Sequence, residues 1–325
     1  MSAAPFALCG RSRIVAGMAL HRLVYSALVG VMLGVAAAAV PAQQVAITFD
    51  DLPVHGPLPP GETRLEVADQ LLKVIQAEHL PAVYGMVNAV QLQYDPKNMA
   101  VLEAWRKVGQ PLASHTYTHM DLNTHTAAEF EHDIELDEPV LEQLMQGEAA
   151  KGYDWRYLRY PYLSEGDGDK RLAVKQWLAA RGYKVAEVSL EFGDYLWNDP
   201  YARCMAKHND AAIQRLHDTY LAAAHQNMQA ERAEAKAVFG HEIPYVLLLH
   251  IGAFDARMFP ELVAQMRADG LSFTTLPKAE DDPAYATPAT EMIGGGDLQD
   301  KVARYKHIAE PKRDSYEKEL AALCR

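Results

Sequence analysis

The chain contains 325 residues, of which 49% are hydrophobic and 23% charged, and it carries a formal net charge of -12 at pH 7. This composition is that of a globular protein with a sizeable hydrophobic core. The excess of acidic groups argues against binding to nucleic acid or to an anionic membrane surface, because both need clustered lysine and arginine.

Residues 1–42 differ in composition from the rest of the chain. Three arginines precede an apolar run over residues 23–40, small residues follow it, and no acidic residue is present. This pattern predicts a secretory signal peptide that is cleaved after Ala42. The alternative is a membrane anchor, because the run is close to the minimum length of a membrane span. With a cleaved signal, we expect a periplasmic protein that has no membrane attachment.

After the leader, strand-like and helix-like segments alternate along the chain. Strands are predicted over residues 45–49, 82–87, 111–114, 157–159, 184–188, 245–249 and 271–274. Helices are predicted over residues 62–78, 98–107, 127–145, 170–181, 201–239 (as two helices), 257–268 and 302–323. Such alternation favours a parallel sheet covered by helices, and about seven strands favour a distorted (β/α) barrel. No glycine-rich phosphate loop follows the first strand, which disfavours a dinucleotide-binding fold.

Two cysteines, Cys204 and Cys324, remain after the leader. In an oxidising compartment they can form a disulfide, which we expect here because Cys324 lies in a terminus that would otherwise fray. The alternative is two separate buried thiols. The glycine triplet at residues 294–296 is predicted to be an ordinary connector.

Chemically reactive side chains follow five of the predicted strands. They are Asp50 and Asp51, His115 and His119, Arg159, Glu191 and Asp194, and His250. In a (β/α) barrel the carboxyl ends of all strands meet on one face, where active sites are built. We therefore expect these groups to lie together.

The pair His115 and His119 has the spacing that places two imidazoles on one face of a helical turn, from which both reach one metal ion. A pair of surface or capping histidines is the alternative, and we assign the nearby His125 to a loop. One carboxylate from the first strand completes a His, His, Asp set with room for water, as in catalytic zinc sites. Successive side chains of a strand diverge, so we expect one of Asp50 and Asp51 to bind the ion and the other to act as a base.

Four short motifs, in order along the chain, resemble those of the polysaccharide deacetylases of the NodB-homology type, carbohydrate esterase family 4. The motifs are Thr48-Phe49-Asp50-Asp51, His115-Thr116-Tyr117-Thr118-His119, Arg159-Tyr160-Pro161-Tyr162 and Leu248-Leu249-His250. The resemblance implies a NodB-like barrel over residues 43–325. The segments at about 200–240 and about 285–325 would then be a helical insertion and a C-terminal helical extension.

The resemblance also implies a role for each matching residue. Asp50 would be the general base and His250 the general acid, with Asp51, His115 and His119 holding one divalent ion, for which Zn²⁺ is the expectation and another divalent ion the alternative. Arg159 would orient Asp50, the Tyr162 backbone N–H would bind the oxyanion, and Leu248 would line the acetyl pocket. The implied reaction removes N-acetyl groups from an acetylated glycan. Hydrolysis of a small amide, formamide or imide is the alternative, and a non-catalytic carbohydrate-binding protein is disfavoured because Asp50 and His250 are both present.

The fourth family motif departs from the usual Asp-x-x-Asp-Trp. The matching stretch is Glu191-Phe192-Gly193-Asp194-Tyr195, so either Glu191 or Asp194 could be the acid that partners His250. His55, in the loop after the first motif, is either a substrate contact or a solvated loop residue. The identity of the glycan and the oligomeric state are left open.

Overall fold

A computed structural model describes residues 43–325, so the predicted signal peptide lies outside the described residues. Seven strands are present within these described residues, one for each predicted strand. They are β1 Gln43–Leu52, β2 Tyr84–Val87, β3 Leu112–Ser114, β4 Tyr157–Leu158, β5 Lys184–Val185, β6 Tyr245–His250 and β7 Leu271–Thr274. The apolar residues of β6 are all buried, as expected for a strand that is covered on both faces.

Helices separate most of these strands. They are α1 Arg64–Ala77, α2 Gln91–Tyr94, α3 Met99–Lys107, α4 Ala127–Leu144, α5 Gly168–Ala180, α6 Asn198–Ala206, α7 Asp210–Phe239, α8 Ala253–Ala268, α9 Leu276–Ala279, α10 Leu298–Lys306 and α11 Glu317–Ala322. Capping boxes at Thr63 and Thr126 begin α1 and α4. The threonine side chain accepts from the backbone N–H three residues later, and the glutamate at that position accepts from the backbone N–H of the threonine. The prediction of two helices between residues 201 and 239 is confirmed by α6 and α7.

The prediction of one terminal helix over residues 302–323 is wrong. The chain forms α10 and α11, and residues 308–316 between them are not helical. His307 ends α10 in a left-handed conformation with φ 56°. Pro311 lies in the connection, where its ring and missing N–H prevent a continuous helix. The apolar spacing on either side of this break therefore belongs to two separate helices.

The strands form one parallel sheet in the order β5-β4-β3-β2-β1-β6, with β7 paired to the first half of β1. A bridge between Leu190 and Leu247 brings the chain after β5 back to β6 and curls the sheet toward closure. The fold is therefore a distorted (β/α) barrel of the predicted class. Within residues 43–325, no helix has the length and apolar character needed to cross a bilayer.

Side chains of β1 alternate between the barrel interior and the surrounding helices. Phe49 points toward the helices, where its ring lies 5.8 Å from that of Trp105 and 5.2 Å from that of Phe259. Ala46 belongs instead to a smaller cluster formed by residues of several strands and closed by α9. Because strand side chains alternate, this parity directs Thr48 and Asp50 into the mouth of the barrel.

The C-terminal segment is attached to the barrel by a covalent bond. Cys204, in α6, forms a disulfide with Cys324, which confirms the predicted pairing. Arg203 adds hydrogen bonds to the carbonyl oxygens of Leu320 and Leu323. The last helix is thus held against the helical region that follows β5.

Candidate active site

The two aspartates at the end of β1 reach the same rim by different means. Asp50 points inward by strand parity. Asp51 would point outward, but its φ is 64° and the pairing of β1 with β2 is irregular between Phe49 and Leu52. A bulge of this kind re-aims a side chain, and it turns Asp51 toward the histidines of the β3 loop.

The expected helical turn under His115 and His119 is not formed. The segment is a loop in which Thr116 and His119 have left-handed backbones, with φ of 60° and 59°. The Asn88 side chain holds this loop by donating to the carbonyl oxygens of His115 and Thr116, at 2.6 and 2.8 Å. His115 donates its Nδ1–H to the Arg159 carbonyl at 2.8 Å, which leaves its Nε2 free to bind a ligand.

Asp51, His115 and His119 form a candidate metal-ligand set. Asp51 Oδ1 lies 3.5 Å from His115 Nε2 and 3.4 Å from His119 Nε2, and one ligand atom from each residue lies within 4.8 Å of the others. Asp51 Oδ1 is also buried and has no hydrogen-bond partner among residues 43–325. A buried carboxylate oxygen without a donor, facing two imidazole nitrogens, fits a divalent cation.

The protonation states of the set suit metal binding. Burial, together with the neighbouring His115, lowers the pKa of His119 to about 4, so the ring stays neutral near pH 7. Burial opposes the charge on Asp51, but its hydrogen bond to His55 and the charges of His250 and His115 hold its pKa well below the usual range. A neutral imidazole and an ionised carboxylate are the forms that bind metals.

Asp50 is held by Arg159 beside this set. Arg159 Nη1 donates to Asp50 Oδ1 and Oδ2 at 3.0 and 3.1 Å, while its Nη2 donates to Thr48 Oγ1 and its Nε to the Ala186 carbonyl. Both partners are almost fully buried, so each charge is compensated by the other. Asp50 Oδ2 lies 3.7 Å from His115 Nε2, which places it next to the ligand set.

His250, at the end of β6, is partnered by Asp194. Its backbone N–H and Nδ1 lie 2.6 and 2.9 Å from the two oxygens of the Asp194 carboxylate. Burial alone would lower the pKa of His250, but the Asp194 charge and hydrogen bond raise it to about 10. The expectation that Glu191 could be the partner is wrong, because Glu191 accepts instead from the Gly193 N–H at 2.9 Å and closes a local turn.

These groups surround one cavity of about 480 Å³. Its lining includes Asp50, Asp51, His55, His115, His119, Tyr162, Glu191, Tyr195, Leu248 and His250. Tyr162 lies at the rim with 67% of its surface exposed and its ring 4.5 Å from that of His119. Eight of the ten predicted site residues line this cavity. The other two, Arg159 and Asp194, lie behind Asp50 and His250, which they contact.

Sequence reasoning missed the contribution of the C-terminal segment to the cavity. Gly296 lines it and donates its N–H to the Leu163 carbonyl at 3.2 Å. Arg171 donates to the Met292 carbonyl at 2.5 Å and Arg304 to the Gly295 carbonyl at 2.7 Å, which fixes the segment. The glycine triplet is therefore part of the cavity wall and not an ordinary connector. The sequence alone does not reveal that this triplet lies against Leu163, because the two segments are far apart along the chain.

His55 was also not connected with the metal set by sequence reasoning. The residue is half-buried and its Nδ1 lies 2.7 Å from Asp51 Oδ2, so it is not a solvated loop residue. His55 follows Asp51 by four residues, but this spacing brings the two side chains together only because the chain turns between them.

An arginine-paired aspartate, an aspartate-paired histidine and a group of side chains that could hold a metal ion thus lie together at the strand ends of a (β/α) barrel, an arrangement that suits hydrolysis. The family model described as polysaccharide deacetylase matches residues 37–184. Three of the four motifs lie within the matched residues, and the match supports an enzyme of the deacetylase class.

Several solved structures are similar to the chain. The chitin deacetylase from Colletotrichum lindemuthianum is 20% identical with a TM-score of 0.45, and the match covers 73% of this chain and 88% of that one. The Bc1960 peptidoglycan N-acetylglucosamine deacetylase is 18% identical with a TM-score of 0.46, over 74% and 88% of the chains. A variant of the peptidoglycan deacetylase PdaC from Bacillus subtilis is 17% identical with a TM-score of 0.45, over 74% and 91%. Comparison with curated proteins gives no significant match.

Proposed function

We propose that the protein is a metal-dependent hydrolase that removes N-acetyl groups from a polysaccharide or oligosaccharide of the chitin or peptidoglycan type. The observation that carries this proposal is the position of Asp50. Its carboxylate is free of the ligand set yet lies 3.7 Å from the His115 nitrogen of that set. A base in this position can take a proton from a water molecule that is held at the site.

Each step falls to a residue that is already positioned for it. A divalent ion held by Asp51, His115 and His119 would polarise the acetyl carbonyl and lower the pKa of a water molecule. Asp50 accepts a proton from the attacking water, and the two hydrogen bonds from Arg159 keep its oxygens in place. His250 donates a proton to the leaving amine, because Asp194 keeps its imidazole protonated at neutral pH. The C–N bond breaks to give acetate and a free amine.

Residues that line the cavity can form a pocket for the acetyl group of the substrate. Leu248 is only 7% exposed and lines the cavity, which suits contact with the acetyl methyl group. Tyr162, whose backbone has φ 56°, lines the same cavity, and its N–H is the proposed donor to the oxyanion. The exposed Tyr162 and Tyr195 rings offer apolar surface for a sugar face.

Zinc and a periplasmic location complete the proposal. Two imidazoles and one carboxylate with open positions are the ligand pattern of catalytic Zn²⁺ sites. The disulfide between Cys204 and Cys324 supports an oxidising compartment, in agreement with the predicted signal peptide.

The test is a panel of substrates given to the zinc-loaded protein. We expect acetate release from chitooligosaccharides or peptidoglycan fragments, and none with Asp50→Asn, which should still bind zinc. Asp51→Ala and His115→Ala should lose both zinc and turnover. Hydrolysis of formamides or cyclic imides without acetate release from any glycan would instead assign the protein to small-amide hydrolysis.

A further inference from the structure

The loop that follows β1 places an imidazole on the far side of Asp51 from its proposed metal. His55 Nδ1 lies 2.7 Å from Asp51 Oδ2, whereas Asp51 Oδ1 faces His115 and His119. The two oxygens of one carboxylate thus have different surroundings. The side chains of His55 and Asp51 are only 16% and 17% exposed, so water competes little for this contact.

The distances from Asp51 show whether His55 is a metal ligand or a hydrogen-bond donor. Two ligand atoms bound at about 2.0–2.2 Å to a tetrahedral Zn²⁺ lie roughly 3.3–3.6 Å from each other. The separations of 3.5 and 3.4 Å from Asp51 Oδ1 to His115 and His119 agree with that value. The 2.7 Å separation to His55 is too short for two such ligands and is typical of a charge-assisted hydrogen bond.

The backbone of His55 is fixed, so its donor is held in position. Arg64, the first residue of α1, donates to the carbonyl oxygens of His55 and Gly56 at 2.7 and 2.6 Å. The Val54 N–H closes the turn by donating to the Asp51 carbonyl at 2.8 Å. The His55 ring also packs against that of His250, with 4.6 Å between ring centroids. Four contacts therefore restrain the loop and the ring.

From this arrangement we propose that His55 is a positioning residue for the metal site. Its Nδ1–H holds Asp51 Oδ2 and so aims Oδ1 at the point that His115 and His119 share. Partners of this kind, which orient a ligating side chain, typically change metal affinity or activity about 10–100-fold when they are removed. The inference rests on the metal site of the proposed function, but it concerns ion binding and not the choice of glycan.

A second group of possible ligands tests the inference directly. Asp51, His55 and His250 also have one ligand atom each within 4.8 Å of the others. If His55 and His250 were ligands of a second ion, the protein would bind two zinc ions per chain. With His55 as a hydrogen-bond donor, it binds one.

The experiment measures Zn²⁺ affinity of the metal-free protein by competition with a chromophoric chelator, together with zinc content by elemental analysis. His55→Ala and His55→Phe, which lack the donor, should bind Zn²⁺ about 10–100-fold more weakly than the wild type. His55→Asn places an amide N–H near the Nδ1 position and should restore affinity to within a few-fold. His125→Ala, in an exposed loop, is the matched control and should bind as the wild type does.

The outcomes distinguish this inference from the proposed function. Wild-type affinity in His55→Phe, or a content of two zinc ions per chain that falls to one in that variant, would overturn the role of His55. Circular dichroism and thermal melts of the metal-free variants show whether each one is folded. If the wild type binds zinc with the expected dependence on His55 but releases no acetate from any glycan, the proposed function fails and the positioning role stands.

Discussion

His250 and Asp194 are joined at two points, because the backbone N–H of His250 lies 2.6 Å from one carboxylate oxygen and its Nδ1 lies 2.9 Å from the other. The double contact fixes both the place of the histidine and the orientation of its ring. Its Nε2 is therefore the nitrogen that remains to act on a substrate in the cavity. The fully buried Asp194 has a lowered pKa, since the charge and hydrogen bonds of His250 outweigh its own desolvation.

Replacing Asp194 with asparagine should move the pH dependence of deacetylation toward acid. Burial lowers the pKa of His250, whereas the charge and hydrogen bond of Asp194, with the charges of Asp51 and Asp50, raise it from 6.5 to about 10. The substitution removes the largest of the contributions that raise this pKa, so burial then counts for more. The general acid would then lose its proton near neutral pH, and kcat/KM at pH 7–8 should fall by about 10²–10⁴-fold. A profile of kcat/KM from pH 5 to 10 measures the change. Glu191→Gln is the control, and an equal shift in that variant would contradict the assignment.

The same pair should contribute to stability in a defined range of pH. A histidine whose folded pKa is above its unfolded value stabilises the fold fully below about pH 6.5, and the contribution is lost as the pH rises through about 10. Urea unfolding of metal-free protein at pH 6 and pH 10 checks this. We expect the difference in unfolding free energy between wild type and Asp194→Asn to be larger at pH 6. A difference that grows with pH would have the wrong sign.

Removing Arg159 should destabilise the fold as well as the reaction. Arg159→Met leaves the buried Asp50 carboxylate without its partner, and breaking such a pair costs about 3–5 kcal/mol of unfolding free energy. The double variant with Asp50→Asn no longer buries an unpaired charge and should recover part of this loss. Urea denaturation of the two single variants and the double variant gives the coupling. Strict additivity would contradict a direct interaction between the two residues.

The disulfide should stabilise the C-terminal segment. It closes a loop with a sequence separation of 120 residues, and removal of a native disulfide typically costs about 2–5 kcal/mol. Cys204→Ser combined with Cys324→Ser should therefore unfold at lower urea and be cut more readily by protease near α11. The wild type treated with a reductant should behave as this variant does. Unchanged stability in both would show that other contacts hold the segment.

An added methyl group at Gly295 should disturb the cavity wall without affecting the metal set. A Cβ there would lie 2.7 Å from the Leu163 carbonyl oxygen, so the backbone must shift. Gly295→Ala should raise KM for an oligosaccharide several-fold while leaving Zn²⁺ affinity at the wild-type value. Steady-state kinetics and the chelator competition separate the two effects. A loss of zinc affinity with unchanged KM would contradict the role of this glycine segment in the substrate cavity.

The class of fold and the members of the site could be predicted from the amino-acid sequence, because both depend on local patterns. Apolar runs of strand length alternate with helical spacing, and the motifs at the strand ends contain Asp50, Asp51, His115, His119, Arg159 and His250. Parallel strands of a barrel deliver their carboxyl ends to one face, so the residues had to meet there. The disulfide could be expected from the cysteine count, the predicted compartment and the position of Cys324 in the terminus.

Other features depend on contacts that no local pattern encodes. The choice between Glu191 and Asp194 as partner of His250 was decided by the turn at Gly193, and the contact itself joins residues 56 positions apart. The backbone of Asp51, with φ 64°, turned a side chain that strand alternation would have directed away from the histidines. The position of His55 and the approach of Gly296 to the cavity likewise became visible only when distant segments packed together. Periodicity specifies which face of an element is buried, but closure of the barrel specifies which polar groups meet.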